Sequence, residues 1–244
     1  MAESLLAVLI PGQCRLCDQR LVRFTAAPVC GHCLDSLDPA DLSLACSRCG
    51  QALENDPESN EADGCRHCRS SAPPFDAAYS FGIYRGDLRR LIHLLKYERM
   101  LPLAQPLADR MTAVLARFGP LDLLAPVPLH WSRRWHRGFN QSSLLAKHLA
   151  ARNNLAFQPR ALRRVRRTRT QAGLSDVERR ENVRGAFAAV HVRDIVGRRI
   201  LLVDDVMTTG ATLGAAASAL KAAGASFVGA LTVARAEREA KVYR

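Results

Sequence analysis

The chain has 244 residues, 48% of them hydrophobic, which is enough for one large domain or two smaller domains with a buried core. Its 35 Lys and Arg residues exceed its 23 Asp and Glu residues, and the net charge of +12 favours an anionic partner. No apolar run is long enough to cross a membrane, and the run at residues 5–10 lacks the positive flank of a signal peptide. We therefore expect a cytoplasmic protein with reduced thiols and no membrane span.

The charge divides the chain into two parts. Residues 1–75 hold 6 Lys and Arg against 10 Asp and Glu, whereas residues 76–244 hold 29 against 13. The net charges are therefore −4 and +16. All eight cysteines lie in the first part, and the pair Pro73 and Pro74 is typical of a linker. We predict a Cys-rich domain at residues 1–72 and a second domain at residues 73–244.

The cysteines form four Cys-x-x-Cys motifs: Cys14 and Cys17, Cys30 and Cys33, Cys46 and Cys49, Cys65 and Cys68. One such turn directs two thiolates at a tetrahedral metal, so two turns complete a four-sulfur site that favours Zn²⁺ over iron. We expect the first two motifs to form one site and the last two another, although an interleaved pairing also fits the spacing. His32 and His67 lie inside motifs and are alternative ligands.

Metal binding also explains how so small a module can fold. Residues 1–72 contain few large apolar side chains, and a structural zinc site supplies on the order of 10 kcal/mol of folding free energy. A disulfide scaffold is disfavoured by the expected reducing compartment, and redox motifs rarely occur four in a row. Four thiolates leave no open coordination position, so the pattern predicts a double zinc ribbon with two structural Zn²⁺ ions.

The second part alternates strand and helix patterns. Strands are predicted at residues 79–84, 121–127, 200–203 and 227–233, and helices at residues 87–99, 101–118, 142–153, 175–182 and 213–223. The helix at 175–182 begins with the capping-box pattern of Ser175 and Glu178. Alternation with short links predicts an α/β fold, a mostly parallel sheet with helices on both faces.

Residues 129–141 combine aromatic and basic side chains directly after a predicted strand. The segment contains both tryptophans, Trp131 and Trp135, and the arginines Arg133, Arg134 and Arg137. Arginines bind phosphates through bidentate contacts. Interleaved aromatics and cations also bind single-stranded nucleic acid, by base stacking and phosphate pairing. In a third interpretation the tryptophans pack in the core and the arginines are solvated.

Residues 162–175 are strongly basic and have no apolar periodicity. Five arginines (Arg163, Arg164, Arg166, Arg167 and Arg169) precede the sequence Thr-Gln-Ala-Gly-Leu. We interpret the segment as a mobile loop. The alternatives are a contact strip for nucleic acid and a plain exposed charge run.

Residues 199–212 are the most informative stretch of the chain. The apolar run at 200–203 leads into Asp204 and Asp205, and three threonines (Thr208, Thr209 and Thr212) surround Gly210 ahead of a predicted helix. Ligands bind beyond the carboxyl ends of such strands, and the free N–H groups of a helix N-terminus favour an anion. Carboxylates suit ribose hydroxyls or Mg²⁺. A Walker-type loop is excluded because no Gly-x-x-x-x-Gly-Lys occurs.

This stretch resembles the 5-phosphoribosyl-1-pyrophosphate (PRPP) signature of type I phosphoribosyltransferases, an apolar run followed by Asp-Asp-Val-x-Thr-Thr-Gly-x-Thr. The resemblance implies that Asp204 and Asp205 face the ribose hydroxyls as the catalytic pair, and that Mg²⁺ accompanies PRPP. It assigns PRPP binding to Val206, Met207, Thr208, Thr209, Gly210, Ala211 and Thr212. It further implies that the arginines of 129–141 bind pyrophosphate and that residues 162–175 form a lid.

The motifs taken together resemble the ComF/GntX family. They are the four Cys-x-x-Cys motifs, residues 91–97, 126–129, 137–141, 170–171 and 182–187, and the PRPP loop, in that order. The resemblance implies a role in natural transformation, DNA uptake or DNA utilisation, with single-stranded DNA and DNA-uptake or recombination proteins as partners. It leaves two hypotheses. One is a phosphoribosyltransferase with an unidentified acceptor, and the other is a non-catalytic single-stranded-DNA-binding adaptor for which PRPP or a phosphate is only a ligand.

Overall fold

The computed structural model describes residues 12–21, 27–43, 45–53, 64–129, 138–166, 168 and 175–236. The five strands of the main sheet are β1 (Ala77–Ile83), β2 (Leu123–Pro126), β3 (Ala156–Phe157), β6 (Arg199–Met207) and β7 (Phe227–Arg235). They lie in the order β1-β7-β6-β2-β3, and every neighbouring pair is parallel. Two further strands, β4 (Leu162–Arg164) and β5 (Phe187–Ala189), form a separate antiparallel pair.

Seven α-helices occur in the described residues. They are α1 (Gly31–Asp35), α2 (Arg66–Ser70), α3 (Gly86–Tyr97), α4 (Ala104–Leu115), α5 (Gln141–Arg152), α6 (Asp176–Val183) and α7 (Ala211–Ala222). Short 3₁₀ helices span Leu101–Leu103, Ala116–Phe118 and Val192–Asp194. None of these helices is both long and apolar enough to pass through a membrane.

The central strand β6 separates two hydrophobic cores because successive side chains of a strand point to opposite faces. Leu201 and Val203 lie in one core with the apolar sides of α3, α4 and α5. Ile200 and Leu202 lie in the other with the apolar side of α7. Helices thus cover both faces of a parallel sheet, as predicted.

The two halves of the Cys-rich module are built alike. An isolated bridge joins Gln13 to Arg20, and the equivalent bridge in the second half joins Ala45 to Ala52. In both halves the residue after the second cysteine has positive φ, 59° at Asp18 and 69° at Gly50. A side chain at Gly50 would also place its Cβ 2.5 Å from the carbonyl oxygen of Ala78. Glycine is therefore required where the second half meets β1.

The Cys-rich module packs directly on the sheet and its helices. Leu16, Val29 and Leu37 share the core that contains α3, α4 and α5. Arg90 of α3 donates hydrogen bonds to the carbonyl oxygens of Leu16 and Arg15, at 2.9 and 3.2 Å. The few apolar side chains of the module therefore complete the core of the larger domain.

The predicted elements of the second part are present, with two corrections. First, β6 does not end at residue 203 but continues through Asp204 and Asp205 to Met207, because β7 pairs with it along this whole length. Second, the start of the predicted loop at 162–175 is strand β4, which pairs with β5. Leu162 is buried there and the guanidinium of Arg164 lies 5.2 Å from the Phe187 ring centroid. A pair of three-residue strands is too short to show a period.

The capping box of α6 is confirmed. The Ser175 hydroxyl accepts from the Glu178 N–H at 3.3 Å, and a Glu178 carboxylate oxygen accepts from the Ser175 N–H at 2.7 Å. Both bonds satisfy donors that the first turn of a helix leaves without a partner.

Candidate ligand site at the carboxyl edge of the sheet

The candidate site lies where β2 and β6 end beside the N-terminus of α5. Asn140 caps this helix: its side-chain oxygen accepts from the Ser142 N–H at 3.2 Å, and its amide donates to the Val127 carbonyl oxygen at 3.1 Å. The Val127 N–H in turn donates to the Val203 carbonyl oxygen at 3.0 Å. Asn140 therefore places the first turn of α5 against the end of β6.

Asp204 is the first carboxylate of the site. Its Oδ1 accepts from the Ser142 hydroxyl at 2.6 Å and from the Asp205 N–H at 2.9 Å. Burial raises the pKa of Asp204 to about 7, and the negative charge of Asp205 adds to the shift. The two hydrogen bonds and the Lys96 ammonium oppose it without cancelling it. The carboxyl group of Asp204 therefore has a pKa near neutral pH.

Asp205 is buried and ion-paired. Its Oδ1 accepts from the Lys96 ammonium at 2.8 Å, and the two side chains are only 6% and 14% exposed. Burial lowers the pKa of Lys96, but the carboxylates of Asp205 and Asp204 outweigh this and leave that pKa above its ordinary value. The other oxygen, Oδ2, is buried and has no hydrogen-bond partner among the described residues. This oxygen is available to a ligand hydroxyl or a cation.

The loop after β6 turns into α7 at Gly210. Gly210 has φ of 77°, and a Cβ there would lie 2.7 Å from Cε of Met207. The Thr209 hydroxyl accepts from the Ala211 N–H at 3.3 Å, and the Thr208 side chain is exposed. Gly210 forms no side-chain cap hydrogen bond, and the first turn of α7 follows the carboxylates closely in the chain.

Arg235 connects this loop to the Cys-rich module. Its buried guanidinium donates to the Cys49 carbonyl oxygen at 2.5 Å and to Gln51 Oε1 at 3.1 Å. The same guanidinium lies 3.3 Å from the sulfur of Met207. Arg235, the last residue of β7, therefore contacts both Cys49, a predicted metal ligand, and Met207, whose side chain packs against Gly210.

The cysteines gather into two four-sulfur groups, Cys14, Cys17, Cys30 and Cys33, and Cys46, Cys49, Cys65 and Cys68. This is the sequential pairing predicted, not the interleaved alternative, and His32 and His67 belong to neither group. Within a group all sulfurs lie within 4.8 Å of one another, and close pairs are 3.6 to 3.9 Å apart. Four sulfurs at about 2.3 Å from one Zn²⁺ would be about 3.8 Å apart. The donor sets therefore fit structural zinc.

Several predicted site residues lie outside the described residues. They are Trp131, Trp135, Arg133, Arg134 and Arg137 of segment 129–141, and Arg167, Arg169 and residues 170–174 of segment 162–175. The roles assigned to them remain predictions. Arg163, Arg164 and Arg166 of segment 162–175 are described, in and just after β4. Residues 204–212 are described in full, from the end of β6 through the turn to the start of α7.

Three residues of the site were not among the predicted site residues: Lys96, Ser142 and Arg235. Lys96 comes from α3 and Ser142 from α5, and each meets β6 only after folding. One signal was available in the sequence, because Lys96 is a lone cation on the otherwise apolar inner side of α3. A cation on the inner side of a helix needs an anionic partner, so Lys96 indicated that a carboxylate would pack against α3.

A family model described as the phosphoribosyl transferase domain matches residues 142–244. Competence protein F of Haemophilus influenzae is 32% identical over 85% of this chain and 96% of its own length. The DNA utilization proteins YhgH of Salmonella typhi and Escherichia coli K12 are 35% and 32% identical over 90% of this chain and 95% of theirs. A solved glutamine phosphoribosylpyrophosphate amidotransferase of Bacillus subtilis is 22% identical over 52% of this chain and 26% of its own, with a TM-score of 0.36.

Fold, cysteine groups and relatives agree with the resemblance noted in the sequence. The larger domain is a type I phosphoribosyltransferase domain, preceded by two four-cysteine groups consistent with a zinc ribbon. With relatives of this identity and coverage, the chain belongs to the ComF/GntX family of competence protein F and DNA utilization protein YhgH.

Proposed function

We propose that this protein binds PRPP with Mg²⁺ at the carboxyl edge of its sheet and acts in the cytoplasm in DNA uptake or utilisation. The observation that carries the proposal is a pair of adjacent carboxylates, the half-buried Asp204 and the buried Asp205, at the end of the strand that leads into α7. A negatively charged side-chain pair next to an anion-binding helix N-terminus suits a ligand that has hydroxyls at one end and a phosphate at the other.

Each part of the site has a role in this proposal. The N–H groups at the start of α7 and the hydroxyls of Thr208, Thr209 and Thr212 bind the 5-phosphate, and Gly210 lets the backbone approach it. Asp204 and Asp205 accept hydrogen bonds from the ribose hydroxyls. The free Oδ2 of Asp205 is the oxygen best able to take one, because Lys96 occupies the other. Mg²⁺ would neutralise pyrophosphate charge when PRPP is bound.

The same site supports catalysis if an acceptor reaches C1 of the ribose. Pyrophosphate would leave C1 as positive charge develops on the ribose, and the carboxylates beneath it stabilise that charge. Arg133, Arg134 and Arg137 would stabilise the departing pyrophosphate by bidentate contacts. The acceptor nucleophile then bonds to C1.

The test is calorimetric titration of PRPP–Mg²⁺ into a variant that lacks both carboxylates. Replacing Asp204 and Asp205 by Ala should abolish binding. The alanine variant leaves Lys96 without its partner and with a gap beside it. A second variant with Asp204→Asn and Asp205→Asn removes the same charges but keeps the side-chain volume, so it should disturb the fold less. A matched control is Asp122→Asn, a carboxylate at the opposite edge of the sheet that accepts from the Arg199 N–H. Unchanged affinity in both site variants would show that PRPP does not bind here.

The second candidate function is the non-catalytic adaptor. Its support is the net charge of +16 on residues 76–244 and the names of the relatives, which concern competence and DNA utilisation. If Arg133, Arg134 and Arg137 serve both ligands, PRPP–Mg²⁺ should compete with a labelled single-stranded oligonucleotide. Release of labelled pyrophosphate from PRPP in the presence of nucleobases or DNA separates the two candidates, because the adaptor binds without turnover.

A further inference from the structure

Three aromatic rings form a continuous row on the outer side of α3, and we call Tyr84, His93 and Tyr97 the aromatic row. The Tyr84 and His93 ring centroids are 6.4 Å apart, and those of His93 and Tyr97 are 5.1 Å apart. His93 Nε2 and the Tyr84 hydroxyl are hydrogen-bonded at 3.0 Å. The three rings thus contact one another, and Tyr84 at one end of the row also packs against the hydrophobic core.

The row faces solvent while the opposite side of α3 supplies the core. Leu91, Ile92 and Leu95 are completely buried, whereas the Tyr97 side chain is 63% exposed. Tyr97 is the most exposed large hydrophobic residue in the described part of the chain. His93 and Tyr97 thus present exposed aromatic surface that the packing of the core does not require.

The surroundings of the row are cationic. Arg85, Arg89 and Arg99 lie on or beside α3, and the guanidinium of Arg89 is 5.9 Å from the Tyr84 ring centroid. The acidic residues of this stretch, Asp87 and Glu98, are ion-paired with Arg90 and Arg15. Exposed rings beside arginines are an arrangement with which proteins bind single strands, because bases stack on the rings and phosphates pair with the cations.

The row also leads to the candidate ligand site. Lys96, which pairs with Asp205, lies next to Tyr97 in the chain, and the Tyr84 N–H donates to the Arg235 carbonyl oxygen at 2.8 Å. At the other end, a Cβ on Gly138 would lie 3.9 Å from the Arg99 guanidinium. The row and the candidate ligand site are therefore joined through α3 and the end of β7.

We propose that the aromatic row is a stacking platform for single-stranded DNA, with Tyr97 as its principal base contact and Arg89 as a phosphate contact. The inference rests on the proposed function for the choice of DNA as the polymer. It differs from the adaptor hypothesis in placing the strand on α3, and it does not require the arginines of 129–141.

The experiment is fluorescence anisotropy with a labelled oligothymidylate and the full-length protein. Tyr97→Ala should weaken binding by about 5- to 150-fold, the range of one base–aromatic stack, and leave the salt dependence of the affinity unchanged. Tyr97→Phe keeps the ring and should bind as the unchanged protein does. Arg89→Gln should instead reduce the log–log salt slope by about 0.7, since it removes one phosphate contact to a single strand.

Matched controls lie at the amino edge of the sheet. Val196 is 59% exposed and Arg198 pairs with Asp122, so Val196→Ala and Arg198→Gln should leave DNA affinity unchanged. Normal single-strand affinity in Tyr97→Ala and Arg89→Gln together overturns the proposal and leaves the row as a local support of α3. An equal loss on duplex DNA also overturns it, because paired bases cannot stack on a protein ring.

Calorimetry with PRPP–Mg²⁺ on the same proteins keeps this test separate from the proposed function. Tyr97→Ala should retain PRPP affinity, since Tyr97 is exposed on the outer side of α3 whereas Lys96, which pairs with the buried Asp205, lies on the inner side. A protein that binds DNA through the row but never binds PRPP would refute the proposed function and leave the platform intact.

Discussion

At the scale of single residues, the site depends on how two adjacent carboxylates are kept in the sheet. Asp205 is compensated by Lys96, and Asp204 is compensated chiefly by hydrogen bonds and keeps a raised pKa of about 7. The carboxylate pair was readable in the sequence because it follows an apolar run. Its partners were not, because Lys96 and Ser142 lie about 109 and 62 residues away from it in the chain.

The raised pKa of Asp204 predicts a pH-dependent ligand affinity. If the ribose hydroxyls donate to the ionised carboxylate, PRPP–Mg²⁺ affinity should rise as pH increases through about 7. Asp204→Asn should flatten this pH profile in calorimetric titrations between pH 6 and pH 8, a range of about one unit on either side of that pKa. A profile that keeps its slope in the variant would assign the titration to another group.

The same shift has a consequence for stability, with a definite sign. The folded-state pKa lies above the unfolded value of about 3.9, so Asp204 binds more protons in the folded state between these two pH values. Its contribution to stability is therefore present at low pH and lost as pH rises through about 7. Urea unfolding should show Asp204→Asn gaining stability relative to the unchanged protein at pH 8 but not at pH 4.

Lys96→Met should be strongly destabilising. It leaves the Asp205 carboxylate buried without a counter-charge, which costs about 3–5 kcal/mol in the free energy of unfolding. Lys221→Met is the matched control, since Lys221 pairs with Asp76 at 2.6 Å but the two side chains are 30% and 38% exposed. A surface pair contributes about 0–1 kcal/mol. If urea unfolding shows equal losses of unfolding free energy in the two variants, burial does not make the Lys96–Asp205 pair more important than the surface pair.

At the scale of elements, most of the fold followed from periodicity. The helix predicted at 87–99 is α3, which buries Leu88, Leu91, Ile92, Leu94 and Leu95 on one side, and the capping box begins α6 where expected. The end of β6 was missed because a strand boundary depends on its neighbour: β7 supplies pairing partners as far as Met207. The pair β4 and β5 was missed because long-range pairing of three residues leaves no local pattern.

Gly210→Ala, in the turn between β6 and α7, should have two effects, a loss of stability and a loss of PRPP affinity. The backbone cost at φ of 77° should be about 1–2 kcal/mol. The Cβ would also displace the end of the Met207 side chain, 2.7 Å away, and with it the start of the loop between β6 and α7. PRPP affinity should fall accordingly.

Gly197→Ala separates these two effects. Gly197 has φ of 71°, but no neighbouring atom lies within 4 Å of the position that a Cβ would occupy, so the substitution carries the backbone cost alone. The two variants should lose similar stability in urea unfolding, while only Gly210→Ala loses PRPP affinity. A Gly210→Ala protein with full affinity would show that the loop tolerates a moved Met207.

At the scale of the whole molecule, the Cys-rich module and the ligand site are one connected structure. Arg235 contacts Cys49 and Met207 at once, and Tyr79 donates a hydrogen bond from its hydroxyl to the Ser47 carbonyl oxygen at 3.3 Å. The composition of the sequence predicted two domains. The contact between them could not be predicted, because Arg235 is 186 residues from Cys49 in the chain.

Removal of the metal from the Cys-rich module should therefore lower PRPP affinity at the candidate ligand site. Metal analysis of the purified protein should find about two Zn²⁺ per chain, one for each four-sulfur group. Cys49→Ser should lower PRPP affinity more than Cys17→Ser, since Cys49 is held by Arg235 and Cys17 is exposed in the other group. Calorimetry on both variants measures the difference. Folded protein without zinc, or equal affinities, would contradict this coupling.

The position of β7 has a consequence for how the protein is made. The ribosome releases the Cys-rich module and β1 first, yet the described partner of β1 is β7, whose paired side chains, such as Ser80 and Thr232, are 152 residues apart. A sheet that closes by inserting its last described strand between β1 and β6 cannot mature stepwise from the N-terminus. Until that strand emerges, β1 lacks the neighbour that it has in the folded sheet, so the part of the chain already made cannot complete the sheet.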